Sequence, residues 1–186
     1  RQMCIRDSTT VDASYFDDAL FLGDSHTDGF HDYAGLGNAT YFTKNGLTVK
    51  DAVEKSFIEL DGKKVTLAEA LGTRQFGKVY ILLGINEIGA YTAADWAAQY
   101  KSLLDLVREK QPDAVIFIQS IFHTTQKKSD SSYFKNEVIN ERNAAIAQLA
   151  DGKTIFYLDL NPLFDDENGA LRADYSGAVS YTHLRA

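Results

Sequence analysis

The chain has 186 residues and a formal net charge of −7, with 45% hydrophobic and 24% charged residues, a balance that suits one globular domain able to bury about 70% of its unfolded surface. The acidic excess argues against a nucleic-acid partner, which leaves a basic footprint, and no stretch approaches the roughly 20 apolar residues of a membrane span. A single cysteine, Cys4, excludes an internal disulfide, and no Cys/His spacing suggests zinc.

The two ends break from the rest. Met3 and Cys4, each the only residue of its type, both fall within residues 1–8, and residues 180–186 follow no pattern set up before them. Residues 1–8 and 179–186 therefore read as non-native tails around a single domain over 9–178. A targeting segment lost with the native N-terminus would place the protein outside the cell or on its surface.

In chain order, residues 19–22 form a short apolar run that stops at Gly23-Asp24-Ser25. That is a buried strand ending in a small polar turn, with a helix expected over 28–36 and glycines at its close. Residues 39–43 are β-prone and end at Lys44-Asn45-Gly46-Leu47-Thr48. A helix over 49–55 follows. Asp61-Gly62 is a two-residue hairpin signal joining 57–60 to 63–65. Residues 67–71 make a short helix, and 78–83 are the clearest core strand, nearly all apolar as a parallel strand is. That strand runs into Gly84-Ile85-Asn86-Glu87.

Thr92 and Asp95 mark the start of a helix that buries Trp96, Tyr100, Leu103, Leu104 and Val107 at helical spacing and exits at Pro112. Residues 114–118 form the fourth strand and 119–129 a polar loop. A second amphipathic helix is expected over 132–150 with Phe134, Val138, Ala145 and Leu149 inward, and 154–158 is the fifth strand. Five strands alternating with helices imply a flavodoxin-like three-layer α/β/α fold, its five-stranded parallel sheet in the order 2-1-3-4-5.

In that order the ends of the first three strands are neighbours, so Ser25, Gly46 and Asn86 converge. Acyl transfer needs a nucleophile beside donors aimed at a developing oxyanion. Ser25 offers a hydroxyl and its own N–H, Gly46 an N–H with no side chain in the way, and Asn86 an amide. A Gly-x-Ser-x-Gly elbow is absent, because Thr27 stands where the second glycine belongs.

These stretches resemble the motif blocks of the SGNH/GDSL hydrolases over about residues 15–177. Gly23-Asp24-Ser25 matches block I, Gly46 block II, and Gly84-Ile85-Asn86-Glu87 block III, where Glu87 replaces the usual Asp. The resemblance implies that Ser25 is the catalytic nucleophile and that Ser25, Gly46 and Asn86 form the oxyanion hole. It further implies a serine esterase that removes a small acyl group, such as acetyl, from a carbohydrate or other alcohol without metal or cofactor. The alternative is a catalytically inactive binding module of the same fold. A flavodoxin-like nucleotide binder would need a Gly-rich phosphate loop, which the sequence lacks.

The family's last block, Asp-x-x-His, supplies the general base and its orienter. His183 is the only histidine in the right region, but Ser180 stands three before it. The family pattern is followed up to Asp174-Tyr175-Ser176-Gly177 and then breaks, so the triad Asp and His are carried onto no residue. The chain as it stands is expected to hydrolyse esters poorly. Of the other groups, His26 adjoins Ser25 and is expected to line the cleft or bind substrate, or else to have a plain surface role, His31 to lie on the surface, and His123 to serve the loop past the fourth strand or touch substrate. Asp24 is expected to hold its turn. Asp17-Asp18 resembles a phospho-receiver's acidic pair, but such a pair would follow the first strand and an Asp would end the third, where Asn86 stands; Asp165-Asp166-Glu167 is expected to be an acidic turn.

Overall fold

The computed structural model describes residues 10–175. Strands β1 (Ala19–Gly23), β2 (Thr40–Thr43), β5 (Lys78–Leu82), β6 (Val115–Gln119) and β7 (Ile155–Leu158) form one parallel sheet in the order β2-β1-β5-β6-β7. Counting only these five strands, that is the expected 2-1-3-4-5. The register pairs Gly23 with Thr43 on one side and with Leu82 on the other, so the carboxyl ends of β2, β1 and β5 finish level. The chain leaves β1 toward β2 and returns on the far side to β5. The crevice at such a reversal is where open α/β sheets hold ligands.

One sheet face carries Leu20, Leu22, Val79, Ile81, Ile116 and Ile118, all buried under α2 (Val49–Glu54), α3 (Leu67–Leu71), α4 (Ala93–Lys110) and α6 (Asn136–Ala147). Helix α4 is capped by Thr92, whose hydroxyl accepts the Asp95 N–H, and it buries the five expected side chains. The opposite face is a row of rings in register: Tyr41, Phe21, Tyr80, Phe117 and Phe156 stack across all five strands at centroid spacings of 5.2, 4.8, 4.7 and 5.9 Å. Helix α1 (Ser25–Ala34) and a 3-10 turn (Ala13–Phe16) pack on that face. Strands β3 (Ile58–Leu60) and β4 (Lys63–Val65) form the antiparallel excursion, turning through Asp61 and Gly62, both at positive φ as a type I′ turn requires. Among the described residues no helix is long and apolar enough to cross a membrane.

Three stretches differ from expectation. Helix α1 starts at Ser25 rather than at 28, because Asp24 caps it directly. The loop past β6 contains α5 (Gln126–Ser131), opened by Thr125 as N-cap. Helix α6 is shorter than expected and rotated. Its buried face is Ile139, Arg142, Asn143 and Ile146, while Phe134, Val138 and Leu149 pack only partly against the core. An apolar-face reading misses it because Arg142 and Asn143 point inward to serve loops, not to fill volume.

The turn into β7 is held by Asp151, whose carboxylate accepts the N–H groups of Lys153, Thr154 and Ile155 at 2.7, 2.8 and 2.8 Å. These donors, Ile155 foremost, hold its carboxyl well below the usual aspartate range. The unfolded chain therefore binds the proton first as pH falls. The stability from this turn is fully present above the ordinary aspartate pKa of about 4 and is lost as pH falls below it. Asp151→Ala is expected to lower Tm at neutral pH, with the deficit shrinking on acidification from about pH 5 to about pH 2; thermal melts of both proteins across that range check it.

Candidate active site

The site begins with a buried carboxylate. Asp24 is 1% exposed, and its Oδ1 accepts both the His26 N–H (2.9 Å) and a bond with His26 Nδ1 (3.0 Å). The first of these caps α1 and puts Ser25 in its first turn, where unsatisfied N–H groups and the positive end of the helix dipole face outward. Ser25 is half-buried, and its N–H meets no acceptor among the described residues.

Gly46 occupies the third position of a turn closed by the Leu47 N–H on the Lys44 carbonyl (3.0 Å). Its φ of +72° is what a type II turn demands there, so the glycine is needed for backbone conformation; a Cβ would meet open space. The Gly46 N–H also meets no acceptor among the described residues. Asn86 joins the three strand ends. Its Nδ2 donates to Asp24 Oδ2 (3.1 Å), beside Ser25, and to the Leu47 carbonyl (3.1 Å), beside Gly46. Both partners are acceptors, which fixes which end of the amide faces them. Ser25, Gly46 and Asn86 are thus brought together through their immediate neighbours.

Glu87, next in the same 3-10 turn (Ile85–Glu87), points inward and is 3% exposed. Its Oε2 accepts the Val49 N–H at 3.1 Å. Burial pushes its carboxyl up from the usual range, opposed by the Val49 N–H, the nearby Trp96 indole and the Arg142 charge. Arg142 Nη2 donates to the carbonyls of Glu87 (3.0 Å) and Tyr91 (2.9 Å), and its guanidinium lies 4.8 Å from the Trp96 ring centroid. Glu87 Oε1, Trp96 Nε1 and Arg142 Nη1 are buried without a hydrogen-bond partner among the described residues. Sequence reasoning missed Arg142, because hydrophobic periodicity gives no signal for an arginine on the inward face of α6.

Beside Ser25, a small recess is lined by Asp24, His26, Leu82, Leu83, Ile85, Ile121 and Phe122. His26 takes the expected cleft position, its ring centroid 6.0 Å from that of Phe122. His123 has the loop role: Nδ1 lies 2.7 Å from Asp165 Oδ2 and Nε2 2.9 Å from Asn140 Oδ1, so neither ring nitrogen is available to substrate. His31 is exposed and stacks on Tyr41. Asp18 pairs with Lys78 at the amino end of the sheet, opposite the site. Asp166 holds its own turn through the N–H groups of Asn168 and Ala170. Larger grooves of about 330 and 390 Å³ lie between α2 and α4 and beside β7; none of Ser25, Gly46 and Asn86 lines either. His183 and Ser180 lie outside the described residues.

Gly23 admits no side chain: a Cβ there would collide with Thr27 Oγ1 and come within 2.7 Å of the Leu82 carbonyl. Gly23→Ala is expected to cost about 1–3 kcal/mol through overpacking and to displace the start of α1. Denaturant titration measures the first effect, and slower covalent labelling of Ser25 by an organophosphonate reads the second.

A family model described as the GDSL-like Lipase/Acylhydrolase family matches residues 21–186. Among solved structures, a protein from Streptococcus pneumonia described as a candidate platelet activating factor superposes with a TM-score of 0.68, covering 93% of this chain and 83% of its own at 19% identity. A GDSL-like lipase from Bacteroides thetaiotaomicron gives 0.62, with 95% and 84% covered at 15% identity. A carbohydrate esterase family 3 protein from Talaromyces cellulolyticus gives 0.52, with 84% and 88% covered at 15% identity. At these identities the likeness is one of fold. No curated protein matches the sequence. The family match takes in all three polar strand ends and most of the chain, and on that ground the chain belongs to the GDSL-like lipase/acylhydrolase family.

Proposed function

We propose that the protein is a serine esterase of short acyl esters, with Ser25 as nucleophile and the Ser25 N–H, Gly46 N–H and Asn86 amide as oxyanion donors. The observation that carries this reading is the Asn86 amide, which bonds to the residues flanking both Ser25 and Gly46. The two backbone N–H groups without acceptors support it. Backbone donors of this kind act strongly because they are held in place before charge develops.

In the proposed reaction Ser25 Oγ attacks the ester carbonyl carbon and gives its proton to a general base. The carbonyl oxygen becomes the oxyanion, and one Asn86 N–H turns to it from Asp24. Collapse expels the alcohol, which takes the proton from the base and leaves an acyl-Ser25 ester. Water then repeats the sequence and releases the acid. By the family resemblance the base is the His of an Asp-x-x-His block, which this sequence does not carry: after Tyr175 the one histidine, His183, has Ser180 three before it. Acetyl on a carbohydrate or other alcohol is the proposed substrate class, in keeping with the carbohydrate esterase of similar fold.

Hydrolysis of p-nitrophenyl esters of increasing chain length by the chain supplied with an Asp-x-x-His block after Gly177, with phosphonate labelling, tests the proposal. Ser25→Ala should abolish both turnover and labelling. Asn86→Ala should lower kcat by about 10²–10³, the usual cost of one oxyanion donor. An Asn86→Ala enzyme with unchanged kcat removes its amide from the hole, and turnover that survives Ser25→Ala removes the whole reading.

A further inference from the structure

We infer that Glu87 is a positioning residue that sets the Gly46 N–H for its role at the oxyanion. The inference rests on the reading of Gly46 given above. Among the described residues the Gly46 N–H meets no acceptor that would fix it, so its aim depends on how the surrounding turn is held. Upstream, the Lys44 N–H donates to the Gly23 carbonyl at 3.3 Å. Downstream, the two side chains of one 3-10 turn grip the backbone on either side of Thr48. Asn86 donates to the Leu47 carbonyl and Glu87 accepts the Val49 N–H.

The grip is firm because Glu87 is itself held. Arg142, 1% exposed, reaches from α6 to the carbonyls of Glu87 and Tyr91, the two ends of the loop that presents Glu87. Val49 is the first residue of α2, and its N–H has no partner within that helix. A carboxylate there also meets the positive end of the helix. The extra methylene of Glu, where the family usually has Asp, supplies the reach across to α2.

The bond can be cut from either side. Glu87→Asp withdraws the carboxylate by about one bond length. Val49→Pro deletes the donor at a first helical position, where proline is favoured. Thr48, which precedes it, already has the extended conformation (φ −103°, ψ 161°) that proline imposes on its neighbour. Since Gly46 acts on the oxyanion and not on bound ester, each variant should lower kcat for p-nitrophenyl acetate, and the rate of Ser25 phosphonylation, about tenfold with KM within about twofold. The double variant should be no slower than the worse single one, because both remove the same bond.

Amide spectra of 15N-labelled protein give a readout independent of turnover: both substitutions should shift the Gly46 resonance and leave those of β6 in place. A folded Val49→Pro protein with full kcat, a rise in KM at constant kcat, additive losses in the double variant, or an unmoved Gly46 resonance each overturns the inference. Loss of the Ser25→Ala effect would instead overturn the reading on which it rests.

Discussion

The structure turns on the burial of the Asp24 carboxylate. A carboxylate taken out of water is costly unless donors replace its hydration. Three donors do so here: the His26 backbone N–H, its ring Nδ1, and the Asn86 amide. Each has a consequence beyond solvation. The backbone bond starts α1 at Ser25, the ring bond fixes His26 against the cleft wall, and the amide bond ties β5 to β1. The positive end of α1 points the same way, so helix, side chains and charge agree.

The same logic recurs one layer deeper, between Glu87 and Arg142. Burial pushes the carboxyl of Glu87 up and the guanidinium of Arg142 down, each opposed by the other's charge. Both spend hydrogen bonds on backbone: the carboxylate accepts the Val49 N–H, and the guanidinium donates to two carbonyls. Two ionic groups are thus spent on loop geometry. A buried pair of this kind is a poor source of stability but a strong constraint, because removing one member leaves the other uncompensated.

The sheet was legible because its strands are runs of apolar residues closed by glycine and polar turns, as at 78–83 before Gly84-Ile85-Asn86. The order followed from short βα connections, and the meeting of Ser25, Gly46 and Asn86 followed from the order. Helix α6 was not legible. Its inward positions include Arg142 and Asn143, and Asn143 serves the backbone of Ile121 with both ends of its amide. A hydrophobic count rotates such a helix toward Phe134 and Val138. The dual role of Asp24, as cap and as anchor of Asn86, was half legible: the cap is local, but the bond to Asn86 spans 62 residues.

Trp96 is the sole tryptophan in the chain. It is fully buried, with Tyr100 edge-on at 5.3 Å and the Arg142 guanidinium over its ring. Its indole edge packs so closely on Gly84, the residue that opens the block III turn, that even a methyl group would not fit between them. Tryptophan emission, excited selectively above the tyrosine absorption, therefore comes from one place, the underside of the turn that carries Asn86 and Glu87. The molecule carries its own optical gauge there, and a shift in emission or lifetime reports movement of that turn without any label.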